Sequence, residues 1–443
     1  MVVMKFGGSS VADKEQIDKV LAIVRTRLGR KPVVVSSAHK GMTNALIAAA
    51  HAAASGDTNA GEQAIKKQQA VAHELGCPDA LLAPFYDEIR VLVRGIALLK
   101  EANLRALDAM ASFGERMAVR AIADYFTRKG IKSSAWDIWD LGFITDSNFG
   151  AALPLPGYET AMRDAVNKLV PKDTVPIITG FVGKNEAGEI TTVGRNGSDF
   201  TGTLVGAALG SDEIEIWTDT DGVMTADPRV IAGVRSIPEM TFAEAAELAN
   251  YGSRVLHPSS IYPAVKRNIP VRVLNTNRPE HPGTVIVRDT SDGREALTSI
   301  AYDDKQAVVS ITSTQMLGQV GFLAKVFDVI GRNGVDVDMI ATSEVSVSMT
   351  TNGKNIDKLN GAIKELEQFG KVVVYTDKTI LCVVGPNLSG TRGIGAKVLA
   401  ALSGAGINID MVSYGADSIN FSMVIDDRDT PKAVATLHKA LFE

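Results

Sequence analysis

The sequence has few groups that could form a disulfide framework or a protein-held metal site. Only two cysteines occur in 443 residues, Cys77 and Cys382, and they lie far apart. Disulfide scaffolds and thiolate metal sites need more thiols at shorter spacing. The six histidines also lack the spacing of a zinc motif such as HExxH. We therefore expect both cysteines to be small core residues and no protein-held metal site.

Long apolar runs and an excess of basic residues are also missing. No run of about 18 apolar residues is present, which argues against a membrane-spanning helix. The first residues lack the charged and apolar regions of a secretory signal, so we expect a cytoplasmic protein. Lys and Arg total 46 against 51 for Asp and Glu, a net charge of −5, which is unlike a nucleic-acid or anionic-membrane binder. Small molecules and further copies of the chain are the expected partners.

Apolar runs that alternate with helical patterns fill the first part of the chain. The predicted strands are Val2–Phe6, Pro32–Ser36, Val175–Thr179, Ile190–Val193, Glu213–Trp217 and Val271–Leu274. Residues 44–129 are rich in Ala and Leu and predict helices, interrupted at Gly56, Pro78 and Pro84. This alternation predicts an α/β layer with an open, mainly parallel sheet between helices.

An internal repeat follows a polar, turn-prone connector at residues 289–294. Gly321, Ala324, Lys325, Val326, Gly334, Asp338 and Met339 recur as Gly393, Ala396, Lys397, Val398, Gly406, Asp410 and Met411, at a constant offset of 72 residues. Each copy has the pattern of a loop, an amphipathic helix, a glycine turn and an apolar strand. Two copies predict twin α+β modules, because an open solenoid usually needs three or more repeats.

A first glycine-rich loop, Lys5–Ser10, lies between a predicted strand and a helix. Backbone N–H groups at Gly7, Gly8 and Ser9 would face an anion, for which phosphate is the natural candidate. Lys5 would offset the charge on a transferred phosphoryl group. The alternative is a tight turn beside a solvated lysine.

A second glycine-rich loop, Gly194–Asp199, closes a strand and begins a helix. Arg195 offers a planar fork for a carboxylate, and Asp199 would orient Lys5 or a magnesium-bound water. The alternative is an Asn-Gly turn capped by Ser198 or Asp199.

Glu115 is an isolated carboxylate on an otherwise apolar helical pattern. Burying a carboxylate is costly unless it is paired, so we expect an ammonium or guanidinium partner, from Arg, Lys or a bound amino acid. The alternative is an internal salt bridge to Arg116 or Arg120.

Acidic residues also follow the strand that ends near Trp217. Ligands of open α/β sheets bind at the carboxyl ends of strands, so Thr218 and Asp219 predict a nucleotide-contact region. An ordinary Asp-Gly turn is the alternative. The glycines at 390–395 superficially match a dinucleotide loop, but the other repeat lacks them, so we do not assign that function.

Seven segments together, in order and over the full length, resemble the aspartokinase family. They are Lys5–Asp13, Gly41–Asn44, Ser112–Glu115, Gly194–Asp199, Trp217–Asp219, Asp227–Arg229 and Val255–Pro258. The resemblance implies an amino-acid-kinase domain over residues 1–290, with an eight-stranded mainly parallel sheet. Two ACT (βαββαβ-type) modules would follow at 296–370 and 371–443, with a strand from 297–302 as a candidate part of the second. We expect no fused homoserine dehydrogenase after Glu443.

The reaction that the resemblance implies is ATP plus L-aspartate giving 4-phospho-L-aspartate and ADP, the entry to lysine, threonine and methionine biosynthesis. Mg²⁺ would be carried mainly by the nucleotide phosphates. The catalytic residues would be Lys5 and Asp199, and the substrate-binding residues Ser37, Thr43, Glu115, Arg195 and Ser198. Nucleotide-binding residues would be Lys5, Phe6, Gly7, Gly8, Ser9, Thr218, Asp219, Met224, Arg229, Arg254 and Val255. Met224, Arg254 and the His39-Lys40 pair depart from residues common in the family.

The first repeat is similar to the lysine-sensing module of single-function aspartokinases. Its allosteric residues would be Met316, Gly321, Phe322, Leu323, Val337, Asp338 and Ser343. Asp338 would pair with an ammonium, with lysine as the first candidate effector and threonine the second; the alternative is that Asp338 and Asp410 only cap strands. The family also implies a homodimer or dimer of dimers through the ACT modules. A catalytically silent amino-acid sensor and a kinase of glutamate or acetylglutamate are the alternative functions.

Overall fold

The computed structural model describes residues 1–194, 196–251, 258–290, 297–416 and 418–443. The chain divides into two compact units. The first unit is Met1–Val223, Pro238–Phe242 and Val255–Thr290, and the second is Met224–Ile237, Ala243–Arg254 and Ser291–Glu443. Among the described residues, no helix combines the length and apolar character needed to cross a membrane.

Strands and helices alternate through the first unit and repeat as βα modules in the second. The strands are β1 (Val2–Phe6), β2 (Pro32–Ser36), β3 (Ser133–Trp136), β4 (Ile144–Thr145), β5 (Val175–Thr179), β6 (Val182–Asn185), β7 (Ile190–Thr192), β8 (Glu213–Thr218), β9 (Glu239–Thr241), β10 (Val271–Asn275), β11 (Thr284–Val287), β12 (Ser299–Thr312), β13 (Ile340–Thr342), β14 (Ser346–Asn352), β15 (Lys371–Val384), β16 (Met411–Ser413) and β17 (Asn420–Asp426). The helices are α1 (Lys14–Arg27), α2 (Met42–Ala54), α3 (Asn59–Glu74), α4 (Asp79–Leu99), α5 (Leu104–Arg128), α6 (Tyr158–Leu169), α7 (Gly197–Leu209), α8 (Phe242–Asn250), α9 (Pro258–Arg267), α10 (Phe322–Arg332), α11 (Ile356–Leu366), α12 (Ile394–Gly404) and α13 (Thr430–Phe442).

The six strands predicted for the first part of the chain are confirmed, with ends that differ by at most one residue. The predicted interruption at Pro84 is wrong, because Pro84 lies inside α4. Pro84 is close to the start of that helix, so its missing N–H removes only one early hydrogen bond. Cys77 and Cys382 are both free and buried, as expected.

The main sheet of the first unit has the strand order β3-β5-β2-β1-β8-β10-β11-β9. All neighbouring pairs are parallel except β10 and β11, which confirms the mainly parallel sheet. The register places Phe6 beside both Ser36 and Trp217. The carboxyl ends of β1, β2 and β8 therefore meet at one edge, where a parallel sheet places its ligands.

Strand β1 presents different residues to the two faces of this sheet. Val2, Met4 and Phe6 belong to a core cluster that also contains side chains from α1 to α5. Because side chains alternate along a strand, Lys5 points to the opposite face. Helix α7 covers that face closely: a Cβ on Gly202 would lie 3.0 Å from the Cβ of Lys5. The glycine therefore allows the helix to approach the lysine.

The second unit contains an antiparallel six-stranded sheet in the order β13-β14-β12-β15-β17-β16. One hydrophobic core lies around α10 and α11, and another lies around α12 and α13. This arrangement confirms the twin modules predicted from the repeat.

The two central strands of this sheet, β12 and β15, each serve both modules. Residues 299–303 of β12 pair with residues 380–384 of β15, whereas residues 306–312 pair with β14 as well as with the first part of β15. The register shifts near Lys305, and both Lys305 (φ 59°) and Asp377 (φ 58°) have left-handed backbone. These two positions are 72 residues apart and bend each strand from one module into the next.

Candidate active site

A cavity of about 480 Å³ opens where β1 and β2 end in the first unit. Both glycine-rich loops, the segment after β2 and the middle of α5 contribute to its wall. Its lining residues are Lys5, Gly7, Gly8, Ser9, Ser37, Ala38, His39, Lys40, Gly41, Thr43, Asn44, Glu115, Phe181, Gly194, Asn196, Gly197, Ser198 and Asp199. Nine residues predicted from the sequence as catalytic or ligand-binding therefore line one cavity.

Lys5 and Asp199 form a close ion pair at the base of this cavity. The Lys5 Nζ lies 2.5 Å from Oδ1 of Asp199, and the two side chains are only 9% and 12% exposed. Asp199 lies in the first turn of α7. A Cβ on Gly7 would lie 3.4 Å from the Lys5 Nζ, so the glycine leaves room beside the ammonium. The lysine charge is thus held in one place, next to free space.

Close contacts between main chains hold the first glycine loop against the segment after β2. The Ser37 N–H donates to the Phe6 carbonyl at 3.1 Å. A Cβ on Gly8 would lie only 3.0 Å from the carbonyl oxygen of Ala38, so a larger residue would push the two main chains apart. The Gly7 N–H donates to the Trp217 carbonyl at 3.3 Å and is not free for an anion, contrary to expectation. Strand pairing continues past the end of β1 and uses that amide.

Glu115 is almost completely buried on α5 and faces the same cavity. One carboxylate oxygen accepts a hydrogen bond from the Ala38 N–H at 3.2 Å, and Oε2 has no hydrogen-bond partner among the described residues. Burial in this poorly solvated position raises the pKa of Glu115 to about 8, although the Ala38 hydrogen bond opposes the shift. The site therefore favours the neutral acid until a cation arrives.

The arginines next to Glu115 on the helix point elsewhere. Arg120 donates to both carboxylate oxygens of Asp137 at 2.8 and 3.0 Å, and Arg116 reaches the same carboxylate at 3.4 Å. Within the described part of the chain, Glu115 has no ion pair. The alternative of an internal salt bridge to Arg116 or Arg120 is therefore wrong.

His39 is a cavity residue whose role the sequence did not reveal. It is buried, and its Nδ1 is 2.6 Å from the carbonyl oxygen of Val11, an acceptor that fixes Nδ1 as the protonated nitrogen. Nε2 has no partner among the described residues. Desolvation lowers the pKa of His39 to about 4, so the ring is neutral at physiological pH. Its position in the segment that follows β2, at the sheet edge where ligands bind, is the sequence feature that could have indicated a role in the site.

Several predicted nucleotide contacts do not line this cavity. The ring of Phe6 is buried in the core and stacks on Trp217, with centroids 5.9 Å apart. Thr218 and Asp219 lie at the end of β8, where the Thr218 hydroxyl donates to the Asp219 carboxylate at 3.2 Å. A further set of predicted residues, Arg195, Arg254 and Val255, lies outside the described residues.

Two more predicted nucleotide contacts, Met224 and Arg229, belong to the second unit. Met224 forms a bridge with Ser236. Arg229 pairs with Asp227 at 2.5 Å, and this contact lowers the pKa of Asp227. The Met224 carbonyl also accepts a hydrogen bond from the Ser299 hydroxyl at 2.7 Å, so this segment is held against β12 of the same unit.

The predicted allosteric residues all lie in the first module of the second unit. Phe322 is in the hydrophobic core, and Met316 and Val337 pack against that core. Gly321 has left-handed backbone and caps α10, and Leu323, Asp338 and Ser343 are exposed. The Ser343 hydroxyl accepts a hydrogen bond from the Ser346 N–H at 3.1 Å and stabilises the turn between β13 and β14.

The parallel sheet, the glycine loops at its edge and the buried Lys5–Asp199 pair are the features expected of a site that transfers a phosphoryl group. Residues 1–275 match the family model described as Amino acid kinase family. Residues 309–368 and 381–441 match an ACT domain model.

Curated relatives narrow this class. Aspartokinase 3, chloroplastic, of Arabidopsis thaliana is 40% identical over 456 residues, which cover 100% of this chain and 81% of that protein. Lysine-sensitive aspartokinase 3 of Escherichia coli strain K12 is 34% identical over 457 residues, 100% of this chain and 99% of that protein. The chain belongs to the amino acid kinase family and, within it, to the aspartokinases.

Solved structures agree over the full length. The crystal structure of E. coli aspartokinase III in complex with aspartate and ADP, described as the R-state, is 32% identical and has a TM-score of 0.86, with 100% of both chains covered. The T-state structure of the same enzyme, in complex with lysine and aspartate, has a TM-score of 0.81 at the same identity and coverage.

Proposed function

We propose that this chain transfers the terminal phosphoryl group of ATP to the side-chain carboxylate of L-aspartate, giving 4-phospho-L-aspartate and ADP. The observation that carries the proposal is one cavity that holds a buried cation, Lys5, and an unpaired buried carboxylate, Glu115. Lys5 can offset the negative charge of a phosphoryl group, and Glu115 can pair with the ammonium of an amino acid.

The chemistry needs little from the protein beyond positioning and charge. An aspartate carboxylate oxygen attacks the terminal phosphorus, the bond from that phosphorus to the bridging oxygen breaks, and ADP leaves with those electrons. The carboxylate is already ionised at pH 7, so no general base is required. Lys5 offsets the charge on the transferring group, and Asp199 holds the lysine in position.

The free amides and hydroxyls of the cavity would complete the binding of both substrates. No backbone hydrogen bond is found for the N–H groups of Gly8 and Ser9 among the described residues, and these groups would bind phosphate oxygens. Ser37, Thr43 and Ser198 would supply hydroxyl contacts to aspartate, and Arg195 would bind one of its carboxylates. Mg²⁺ would bind to the ATP phosphates. A carboxylate oxygen of Asp199 would contact the ion through a bound water.

We also propose feedback inhibition through the first ACT module, with lysine as the first candidate effector and threonine the second. Support comes from Asp338, whose carboxylate has no hydrogen bond or ion pair among the described residues. The E. coli structure with lysine belongs to a relative that covers the whole chain.

Pairing of the ACT modules in a homodimer or dimer of dimers is a further part of the proposal. Both edge strands of the six-stranded sheet carry exposed apolar side chains at equivalent positions, Ile340 on β13 and Val412 on β16, which are 43% and 40% exposed. Edge strands with exposed apolar residues favour pairing with another chain. The cytoplasmic location predicted from the sequence stays a prediction.

The test is hydroxylamine trapping of the acyl phosphate with purified protein, ATP and Mg²⁺. Hydroxamate should form with L-aspartate, should not form with L-glutamate or N-acetylglutamate, and should decrease with added lysine. No hydroxamate from folded protein would favour the silent sensor, and a preference for glutamate would favour the other kinase. Neither alternative is supported by the relatives, which are named aspartokinases.

A further inference from the structure

The two ACT modules place equivalent residues at equivalent positions, which allows their chemistry to be compared directly. The N–H of Asp338 donates to the Thr350 carbonyl in the first module, and the N–H of Asp410 donates to the Val424 carbonyl in the second. The strand register agrees: residue 306 lies opposite 352, and residue 378 lies opposite 426.

In the second module this position is fully paired within the chain. The Lys378 Nζ lies 2.6 Å from Oδ2 of Asp410 and 2.5 Å from Oδ1 of Asp426, and its side chain is 13% exposed. The other Asp410 oxygen accepts a hydrogen bond from the Asn408 side chain at 2.8 Å. Burial acts to lower the pKa of Lys378, but the hydrogen bonds to Asp410 and Asp426 outweigh it and raise the pKa, so the ammonium stays charged.

In the first module each neutralising group is replaced. Gln306 stands where the second module has Lys378, and its amide donates to Asp303 at 2.8 Å. Asp336 stands where the second module has the donor Asn408. Asp336 therefore adds a negative charge near Asp338 where the second module has a hydrogen-bond donor. Among the described residues no cation pairs with Asp338, and Lys354 acts on the neighbouring Asp303 instead.

We propose that the second ACT module is occupied by its own chain: the ammonium of Lys378 fills the position that Asp338 leaves for the ammonium of an effector amino acid. Each chain therefore takes one effector molecule, in the first module. This inference rests on the proposed role of Asp338. A tethered ammonium loses no translational freedom on binding and has a high effective concentration, so a free amino acid does not displace it.

The residue at 378 should decide how many effector molecules a chain binds. Equilibrium dialysis with radiolabelled L-lysine, carried to saturation on the full-length protein, measures the number bound per chain. We expect one for the unchanged protein and two for Lys378→Gln, which introduces the residue of the first module. Lys371→Gln is the matched control, because Lys371 is an exposed lysine on the same strand, and it should bind one.

Two results would overturn the proposal: two lysines bound by the unchanged protein, or one bound by folded Lys378→Gln. If Lys378→Gln does not fold, the number of lysines bound by Asp410→Asn and by Asp338→Asn tests the proposal instead. Asp410→Asn should still bind one lysine and Asp338→Asn none, and the reverse pattern refutes the inference. Zero lysine bound by the unchanged protein refutes lysine as the effector, which is a failure of the proposed function and a different result.

Discussion

Aspartate binding should release a proton from Glu115 at neutral pH. In the ligand-free cavity this side chain is buried, and one oxygen has no partner among the described residues. Its pKa of about 8, raised by desolvation, means that the neutral acid predominates at pH 7. An ammonium placed beside the carboxylate stabilises the ionised form, so binding and ionisation are coupled.

The size of this coupling follows from the pKa. At pH 7 about 0.9 of the Glu115 side chains carry a proton, and a complex with ionised Glu115 therefore releases about 0.9 proton per chain. The apparent affinity for aspartate should rise roughly 50-fold between pH 6 and pH 8, because the competent ionised fraction rises by that factor. His39, with a pKa of about 4, does not titrate in this window.

Calorimetry in buffers of different ionisation enthalpy measures the released protons directly, and the same titrations at pH 6, 7 and 8 give the affinities. Glu115→Gln is the matched variant, because it keeps the shape of the side chain and removes the ionisation. It should bind aspartate weakly and without pH dependence in this range. An unchanged protein that binds aspartate with no proton release and constant affinity would refute the reasoning.

Four further outcomes follow from named contacts. Lys5→Ala should lower kcat about 10²- to 10³-fold with a smaller change in aspartate affinity, and wild-type turnover would contradict its assigned role. Gly202→Ala would place a Cβ 3.0 Å from the Cβ of Lys5, and a shift of Lys5 by about 1 Å should lower kcat by roughly 10²-fold. Gly331→Ala is the control, because its added Cβ would have no neighbour within 4 Å, and it should leave kcat unchanged. Because the pKa of His39 is lowered on folding, the free energy of unfolding of the unchanged protein should fall by about 3 kcal/mol relative to that of His39→Gln as pH drops from 6.5 to 4. Denaturant titrations of both proteins measure this difference, in which the opposite contribution of Glu115, whose pKa is raised on folding, cancels. Asp338→Ala should relieve lysine inhibition and leave uninhibited activity intact in the hydroxamate assay, and unchanged inhibition would place the effector elsewhere.

The sequence predicted those features whose physical cause lies in neighbouring residues of the chain. An apolar run cut by Gly7 and Gly8 predicts both the end of β1 and a loop at the sheet edge, because a parallel strand must end where its ligand loop begins. Glu115 could be predicted because burying a carboxylate among apolar helix positions costs free energy unless a cation pairs with it. The structure leaves one of its oxygens without a partner among the described residues.

Features that depend on neighbours distant in the sequence could not be predicted in this way. The Gly7 amide is used by Trp217, and the Phe6 ring packs on that same residue, because β8 lies beside β1. Pro84 continues a helix that its own propensity would interrupt. The repeat itself was visible from an offset of 72, but its consequence for Lys378 depended on strand register.

The shared strands of the six-stranded sheet have a consequence for how this protein can be divided or shortened. Residues 299–303 complete the sheet of the second repeat, and residues 371–375 lie beside the first repeat's part of β12. A proteolytic cut or an engineered terminus near residue 370 would therefore leave each half without a strand that only the other half carries. Each repeat therefore depends on a strand segment that belongs to the other, so the two repeats form one folding unit.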